Sequence, residues 1–310
     1  MRLVAMLLWG MLALVGCSSR EEAKRPPDKL QVIVTLFPLY DMARAIGGEH
    51  ATVSLLLPPG AEAHSFEPRP GDILRLHQSD LFIYTGPFME PWAESLLKGV
   101  DSKRLGAINA GIGIPLLKQG KEQADADGHE HGHGGGDPHI WLDFRNAETM
   151  VTTIATGFTA KDPAHAASFR LNAQRYRARL AELDRRYRSG LADCGSRTVI
   201  HAGHFAFGYL AKRYGLRYLS AFPSSGDSEP NARQMATMVE LVRSTGVGAI
   251  YYEELVSPRL ADTLAKETGS RLLLLSAAHN VSREELARGI TLPEIMEHNL
   301  ENLRQGLKCR

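Results

Sequence analysis

Short apolar runs alternate with amphipathic segments along almost the whole chain, and this alternation restricts the fold more than any other feature. In the first half, apolar runs predict strands, and segments with helical apolar spacing predict helices. The predicted strands span residues 31–37, 51–57, 81–85 and 104–109, and the predicted helices span residues 40–47, 70–78, 87–98 and 146–159. Strands that alternate with helices form a parallel sheet covered by helices on both faces.

The second half of the chain repeats the alternation. Its predicted strands span residues 197–201, 216–220, 247–252 and 271–275, and its predicted helices span residues 205–214, 232–245, 258–268 and 293–307. The halves share no repeat at the level of residues, but their order of elements is alike. The sequence therefore predicts an α/β protein with two lobes, each built on a four-stranded parallel sheet flanked by helices.

One long amphipathic helix is predicted between the halves. Asp162 and Pro163 are typical of a helix N-terminus, and the apolar residues after them recur at intervals of three or four. They are Phe169, Ala173, Tyr176, Leu180, Leu183, Tyr187 and Leu191. The predicted domains are an N-terminal lobe over residues 30–160, a rigid linker helix over 161–192 and a C-terminal lobe over 193–310. The alternative is a surface helix that belongs to one lobe.

The start of the chain, residues 1–17, is typical of an export signal. Met1 and Arg2 are followed by an apolar stretch that is shorter than the span of about 20 residues needed to cross a bilayer. It ends in LVGC, which resembles the bacterial lipobox, so we expect Cys17 to carry lipid and residues 18–29 to form a flexible tether. The mature chain would then be lipid-anchored to a membrane, in the periplasm or at the cell surface. A plain signal peptide is the alternative.

Charge and cysteine content narrow the class of protein. The formal net charge is +1, without the basic excess that would indicate nucleic acid as a partner. Two cysteines remain beyond the signal, Cys194 and Cys309. In an oxidising, exported compartment we expect a disulfide between them, which would pin the C-terminus to the start of the second half. Two isolated buried thiols are the alternative.

Four of the 12 histidines are candidate ligands, and at least three of them lie beyond the carboxyl ends of predicted parallel strands. His64 follows the second strand, His139 precedes the linker region, His204 follows the strand that ends at His201, and His279 follows the last strand. Ligands bind at this edge of open α/β sheets. Four imidazoles that converge between the lobes would form a tetrahedral, neutral, all-nitrogen site, which suits Zn²⁺. An ordinary polar loop residue is the alternative for each histidine alone.

Other histidines are placed differently. His201 ends a strand three residues before His204, and we expect it to lie behind the ligands rather than among them. A further group lies in or beside predicted helical surfaces, where ordinary polar roles are expected: His50, His77, His165 and His298.

Several segments of the sequence resemble those of one protein family. They are AHSFEPRPGDILRL, DPHIWLD, HAGHFAFGYLAKRYGL, YYEELVSPRLADTLAKETG and NLENLRQGL. Over residues 29–308 the chain resembles the zinc and manganese solute-binding lipoproteins of bacterial metal-import ABC transporters, the ZnuA-like family. The resemblance implies two lobes joined by one long rigid helix, with the metal between the lobes. It also implies a receptor, expected to be a monomer, whose partners are an ABC transporter permease and its ATPase.

The resemblance places the first three metal ligands of the family on His64, His139 and His204. The fourth ligand of the family is commonly an aspartate after the last strand, and this chain departs from that pattern, because SAAHN contains no carboxylate. We expect His279 to be the fourth ligand, since imidazole is a far better ligand than the amide of Asn280; a water molecule is the other alternative. Four neutral ligands favour Zn²⁺ over Mn²⁺, which prefers carboxylate oxygen.

The family often carries a loop rich in histidine and acidic residues before the DPHIWLD segment. Here this loop spans residues 125–137 and contains His129, His131 and His133. Such a loop implies low-affinity capture or sensing of metal. A merely solvated loop or an artificial tag is the alternative.

Two other classes of function compete with a receptor. A zinc hydrolase needs an open metal position for water and a general base, for which Asp143, Glu67 or Glu253 could serve. The sequence contains neither HExxH nor another signature of zinc peptidases, so we do not expect an enzyme. The second rival is an adhesin, which would not exclude metal binding.

Glu253 and Glu254 also lie at a strand end, and we interpret them as structural or permease-facing.

Overall fold

A computed structural model describes residues 29–100, 104–118, 136–222, 232–253 and 259–310. The strands of the first half are β1 (Leu30–Val34), β2 (Ala51–Leu55), β3 (Leu81–Tyr84) and β4 (Gly106–Asn109). They form one parallel sheet in the order β2-β1-β3-β4. Val32 in β1 pairs with both Val53 and Leu81. This interior position explains the continuous apolar sequence of β1, because both faces of the strand are covered.

The second half contains a sheet of the same design. Its strands are β5 (Thr198–His204), β6 (Arg217–Phe222), β7 (Ala249–Tyr252) and β8 (Arg271–Leu274). They are parallel and follow the order β6-β5-β7-β8, which matches the order of the first sheet. The prediction of two four-stranded parallel sheets is therefore confirmed.

Helices flank both sheets. In the first half they are α1 (Phe37–Gly47), α2 (Pro70–His77), α3 (Ala93–Lys98) and α4 (Phe144–Lys161). The chain continues through α5 (Ala166–Gly190), α6 (Gly208–Tyr214), α7 (Ala232–Thr245), α8 (Arg259–Thr268), α9 (Arg283–Arg288) and α10 (Leu292–Leu307). Within the described ranges, no helix combines the length and the apolar character needed to cross a membrane.

Three helices begin at least three residues later than predicted. The helix predicted from residue 205 begins at Gly208, and the other two begin close to a proline. The helix predicted from residue 87 begins at Ala93, because Pro91 inside a helix would remove a hydrogen bond and clash with the preceding turn. The helix predicted from Pro163 begins at Ala166, after a 3-10 turn over Pro163–His165. The Asp162 carboxylate accepts a hydrogen bond from the backbone N–H at the end of that turn. Tight turns of this kind are common where helices start.

The long helix α5 packs against both halves of the molecule. Its predicted apolar stripe is buried. The hydroxyl of Tyr176 donates a hydrogen bond to Asp41 in α1 (2.7 Å), and the hydroxyl of Tyr187 donates to the carbonyl oxygen of Met296 in α10 (2.6 Å). The helix therefore joins elements of the first half to elements of the second half, as predicted.

The C-terminus is fastened to the start of the second half. Cys194 and Cys309 form the predicted disulfide. Backbone hydrogen bonds run beside it, from the N–H of Gly195 to the carbonyl oxygen of Lys308 and from the N–H of Arg310 to that of Asp193. The predicted signal segment, its Cys17 and tether residues 18–28 lie outside the described residues.

Candidate metal centre

Four histidine side chains meet at the carboxyl ends of the two sheets. His64 lies in the loop after β2, His139 in the loop after β4, His204 at the end of β5, and His279 in the loop after β8. One ring nitrogen from each can be chosen so that all four lie within 4.8 Å of one another. The four histidines predicted from strand ends thus come together, two from each half.

Strand β5 is longer than predicted, and this changes the placement of two histidines. It ends at His204 rather than at His201, with a register shift between them. The Nδ1 of His201 lies 3.1 Å from the hydroxyl oxygen of Tyr218 and 3.2 Å from the carbonyl oxygen of His204. His201 therefore contacts the backbone of His204 and stays outside the group of four, as expected of a residue behind the ligands.

The ring nitrogens of the four histidines are donors of the kind that metal ions bind. The Nε2 atoms of His139 and His204 lie 3.3 Å apart. Those of His64 and His279 are buried without a hydrogen-bond partner, an arrangement that costs about 1–3 kcal/mol per group. Four nitrogens bound tetrahedrally to Zn²⁺ at about 2.0–2.1 Å would lie about 3.3–3.4 Å from one another. The residues present fit a tetrahedral metal ion.

Two of the rings are held by buried carboxylates. Asp137 Oδ1 accepts hydrogen bonds from the Nδ1 (2.7 Å) and the backbone N–H (3.0 Å) of His139. Glu253 Oε1 accepts hydrogen bonds from the Nδ1 (2.7 Å) and the backbone N–H (2.5 Å) of His204. A proton on Nδ1 leaves the lone pair on Nε2, so each carboxylate fixes both the tautomer and the orientation that a ligand needs.

Two glycines make room for these carboxylates. A Cβ atom at Gly203 would lie 2.0 Å from Oε1 of Glu253, and one at Gly208 would lie 2.7 Å from Oδ2 of Asp137. Any larger residue at these positions would displace the carboxylate, and with it the imidazole that the carboxylate holds. The two glycines in HAGHFAFG are therefore required because a side chain at either position would collide with a carboxylate of the site.

Burial keeps the imidazoles in the form that binds metal. Burial, followed by the charge of His204, lowers the pKa of His64 to about 4. Burial also lowers the pKa values of His139 and His279 well below 6.5. These three rings are therefore neutral at pH 7, as metal binding requires.

The two carboxylates respond differently to burial. Burial raises the pKa of Asp137 to about 7, because the hydrogen bond from the His139 backbone compensates only in part. Burial alone would also raise the pKa of Glu253, but the hydrogen bonds and the charge of His204 outweigh it and lower the pKa to about 2. Glu253 is therefore an anion next to His204 at neutral pH.

Asn280, the alternative to His279 in the predicted fourth position, is occupied elsewhere. Its Nδ2 donates to the carbonyl oxygens of Pro58 (2.7 Å) and Ala61 (2.9 Å), and its Oδ1 accepts from the backbone N–H of Val281 (2.8 Å). The neighbouring His279 instead has a buried, unpartnered Nε2. The geometry thus favours the imidazole over the amide.

Several sequence-based interpretations of acidic residues change. Glu253, interpreted as structural or permease-facing, is 8% exposed and bonded to His204, which favours the structural alternative. Asp143, a candidate general base, instead caps α4 and pairs with Arg213 (3.0 Å). Glu67 is exposed.

The importance of Asp137 was missed, although its place two residues before His139 was a usable signal. Glu253 lies 49 residues from its partner His204, and no local pattern pairs them. Glu254 and the histidines of the predicted low-affinity loop, His129, His131 and His133, lie outside the described residues.

Comparisons with known proteins agree on one family. Residues 32–306 match the family described as "Zinc-uptake complex component A periplasmic", ZnuA. The chain is 34% identical over 292 residues to the high-affinity zinc uptake system protein ZnuA of Bacillus subtilis, covering 94% of this chain and 91% of that protein. It is 33% identical over 311 residues to the zinc-binding lipoprotein AdcA of Streptococcus pneumoniae strain R6, covering 98% of this chain but 61% of AdcA. The chain therefore spans about three fifths of the length of that relative.

A solved structure supports the same assignment. The Zn(II)-bound ZnuA-like domain of Streptococcus pneumoniae AdcA superposes with a TM-score of 0.78 at 32% identity, covering 90% of this chain and 99% of that domain. The matching family is named for zinc uptake and not for a catalysed reaction. The chain belongs to the ZnuA family, the periplasmic A components of zinc-uptake complexes.

Proposed function

We propose that this chain is an extracytoplasmic receptor that binds Zn²⁺ in a cleft between two lobes, with His64, His139, His204 and His279 as its ligands. The observation that carries the proposal is the group of four imidazoles, each with one ring nitrogen within 4.8 Å of those of the others. Two of them, His64 and His279, have a buried Nε2 without a hydrogen-bond partner. The zinc-binding names of the relatives support the choice of metal.

The donor set favours zinc over manganese. All four donors are imidazole nitrogens, which bind metal in their neutral form and suit Zn²⁺, whereas Mn²⁺ is better served by oxygen. The nearby carboxylates of Asp137 and Glu253 are engaged with the Nδ1 atoms of two ligands. They act on the metal through the imidazoles, because a carboxylate partner makes the ring a stronger donor.

The transport role needs no bond to be made or broken in the protein. Neutral imidazoles take up the ion, the surrounding apolar residues exclude water, and the ion is released to an ABC transporter permease coupled to its ATPase. A lipid on Cys17 would keep the receptor, a monomer, near that permease, in the periplasm or at the cell surface. The loop with His129, His131 and His133 would capture zinc weakly and pass it inward.

A zinc hydrolase is disfavoured by the same geometry. A catalytic zinc site keeps one position open for water beside three protein ligands. Here a fourth imidazole, that of His279, faces the position where that water would bind. Asp143, which could have been the general base, is paired with Arg213.

Calorimetric titration of the tag-free, metal-stripped chain from Ser18 onward tests the proposal. We expect one zinc site of sub-micromolar Kd and weaker binding of Mn²⁺. Deletion of residues 125–136 should leave this site intact, because the loop is a separate, weaker binding region. Tighter binding of Mn²⁺, or loss of the tight zinc site in the loop deletion, would contradict the proposal.

A further inference from the structure

A side chain from the second half holds the turn that precedes His64. The Nδ2 of Asn280 donates to the carbonyl oxygens of Pro58 and Ala61, at 2.7 and 2.9 Å. A backbone hydrogen bond from Gly60 to the carbonyl oxygen of Val281 (3.1 Å) lies beside them. The side chain of Asn280 is fully buried, whereas its acceptors Pro58 and Ala61 belong to a turn that reaches the surface. The turn over residues 58–61 is therefore fastened to the loop that carries His279.

The ring of His64 depends on its own backbone more than the rings of His139 and His204 do. His139 and His204 are each held through Nδ1 by a carboxylate. The Nε2 of His64 has no hydrogen-bond partner, and its backbone N–H donates to Glu62, a neighbour in the same loop. The position of the ring is thus set by the path of its own backbone.

The two sides of this loop are held differently. Before His64, Ala63 is buried and Ala61 is bonded to Asn280. After His64, Phe66 packs edge-on against Trp92, another first-half residue, with ring centroids 5.7 Å apart. The bonds from Asn280 therefore link this segment of the first half to the second half.

We propose that Asn280 is a positioning residue for the ligand His64 and sets how fast the bound metal ion leaves. The inference rests on the proposed function, since it presumes that His64 binds zinc. When the two hydrogen bonds from Asn280 are lost, the turn over residues 58–61 can move. This movement would displace the imidazole of His64 from the position in which it binds the ion. Three imidazoles then remain around the ion, and water or a chelator can enter the fourth position.

A kinetic double-mutant cycle tests this role. Zinc dissociation into excess chelator is followed by stopped flow for the unmodified chain, Asn280→Ala, His64→Ala and the double variant. We expect Asn280→Ala to speed dissociation about tenfold, equivalent to about 1.4 kcal/mol. In the His64→Ala background the same substitution should have no further effect. An equal acceleration in both backgrounds, or none in the first, would overturn the inference.

A matched control is available in α10, whose Asn299 bonds to the loop that carries His279. Asn299 is another buried amide, and it bonds to the backbone of Ser276 within the second half. Any effect of Asn299→Ala on zinc dissociation should be the same with and without His64. Asn280→Ser provides a second, milder variant, and circular dichroism establishes that each protein is folded.

The outcomes separate this inference from the proposed function. Absence of tight zinc binding in the unmodified chain, or an unchanged affinity in His64→Ala, would contradict the proposed function itself. If tight zinc binding depends on His64 but the rate of zinc dissociation is unchanged in Asn280→Ala, only the positioning role is overturned.

Discussion

Single residues divide the four imidazoles into two classes. His139 and His204 are oriented by the carboxylates of Asp137 and Glu253, whereas His64 and His279 have no such partner among the described residues. A carboxylate partner holds the ring and strengthens its donor nitrogen. The ionised Glu253, whose pKa is lowered to about 2, also places a negative charge behind His204, the proposed ligand.

Replacement of Glu253 by glutamine tests this contribution. Glutamine keeps an oxygen that can accept the hydrogen bond from His204 but loses the charge. We expect zinc affinity to fall about 10–100-fold, measured by competition with a chromophoric chelator. Glu182→Gln, which removes an exposed carboxylate of α5, serves as the control and should bind zinc like the unmodified chain. Equal affinities in both variants would contradict the role of Glu253.

The grouping of the histidines was predictable from single residues, because most of them follow apolar strands. The carboxyl ends of parallel strands share one edge of a sheet. The bulge between His201 and His204 was not visible, since a register shift depends on the neighbouring strand. The pairing of Glu253 with His204 was also hidden, because it joins separate strands.

At the level of secondary structure, the loop after β3 contains a buried carboxyl group that lies away from the histidines. Glu90 accepts hydrogen bonds from the hydroxyl of Thr35 (2.5 Å) and from the backbone N–H groups of Thr85 and Gly86. These bonds hold the chain segments that leave β1 and β3. Burial nevertheless raises the pKa of Glu90 to about 7, because the bonds offset the loss of hydration only in part.

The raised pKa of Glu90 predicts a pH dependence of stability. Between about pH 4.5 and 7 the folded chain keeps a proton that the unfolded chain has lost, so this group makes the free energy of unfolding decrease as pH rises. The full effect is on the order of 3 kcal/mol. Urea unfolding of the metal-free protein at several pH values measures it. The free energy of unfolding of the unmodified chain, relative to that of Glu90→Gln, should decrease as pH rises from about 4.5 to 7. A difference between the two proteins that stays constant with pH would contradict the account.

Most elements were predictable from apolar periodicity, and the exceptions have local causes. The helix α9 (Arg283–Arg288) was missed because six residues are too few to show a helical period. Its capping box, in which Ser282 and Glu285 bond to each other's backbone N–H, was nevertheless readable as S-x-x-E.

For the whole molecule, the disulfide and the metal centre lie at opposite ends of the second sheet. Cys194 precedes β5, and His204 ends that strand. Seven residues of strand span about 23 Å. The disulfide therefore stabilises the fold at a distance from the site.

Removal of the disulfide should separate stability from binding. We expect Cys194→Ser with Cys309→Ser to lower the free energy of unfolding by about 2–5 kcal/mol, because the unfolded chain is no longer cross-linked. Zinc affinity should stay the same, since the bridge is remote from the ligands. Urea unfolding and zinc titration measure the two quantities. A large loss of affinity in a folded variant would show that the bridge shapes the site.

The meeting of the two halves could not be derived from local patterns. Alternation predicted two sheets, whereas a metal between them was suggested by the histidines near strand ends and implied by the family resemblance. Contacts such as the hydrogen bond from Trp141 to the carbonyl oxygen of Ala277 (2.8 Å) link residues 136 positions apart. The lobe boundaries at residues 160 and 192 stay a prediction.

The most direct test of the central claim is anomalous diffraction at the zinc absorption edge from crystals of the zinc-loaded chain. The account predicts one strong peak about 2.0–2.1 Å from the Nε2 atoms of His64, His139, His204 and His279. A peak bound by oxygen or sulfur atoms, or one that leaves any of the four imidazoles unbound, would contradict it.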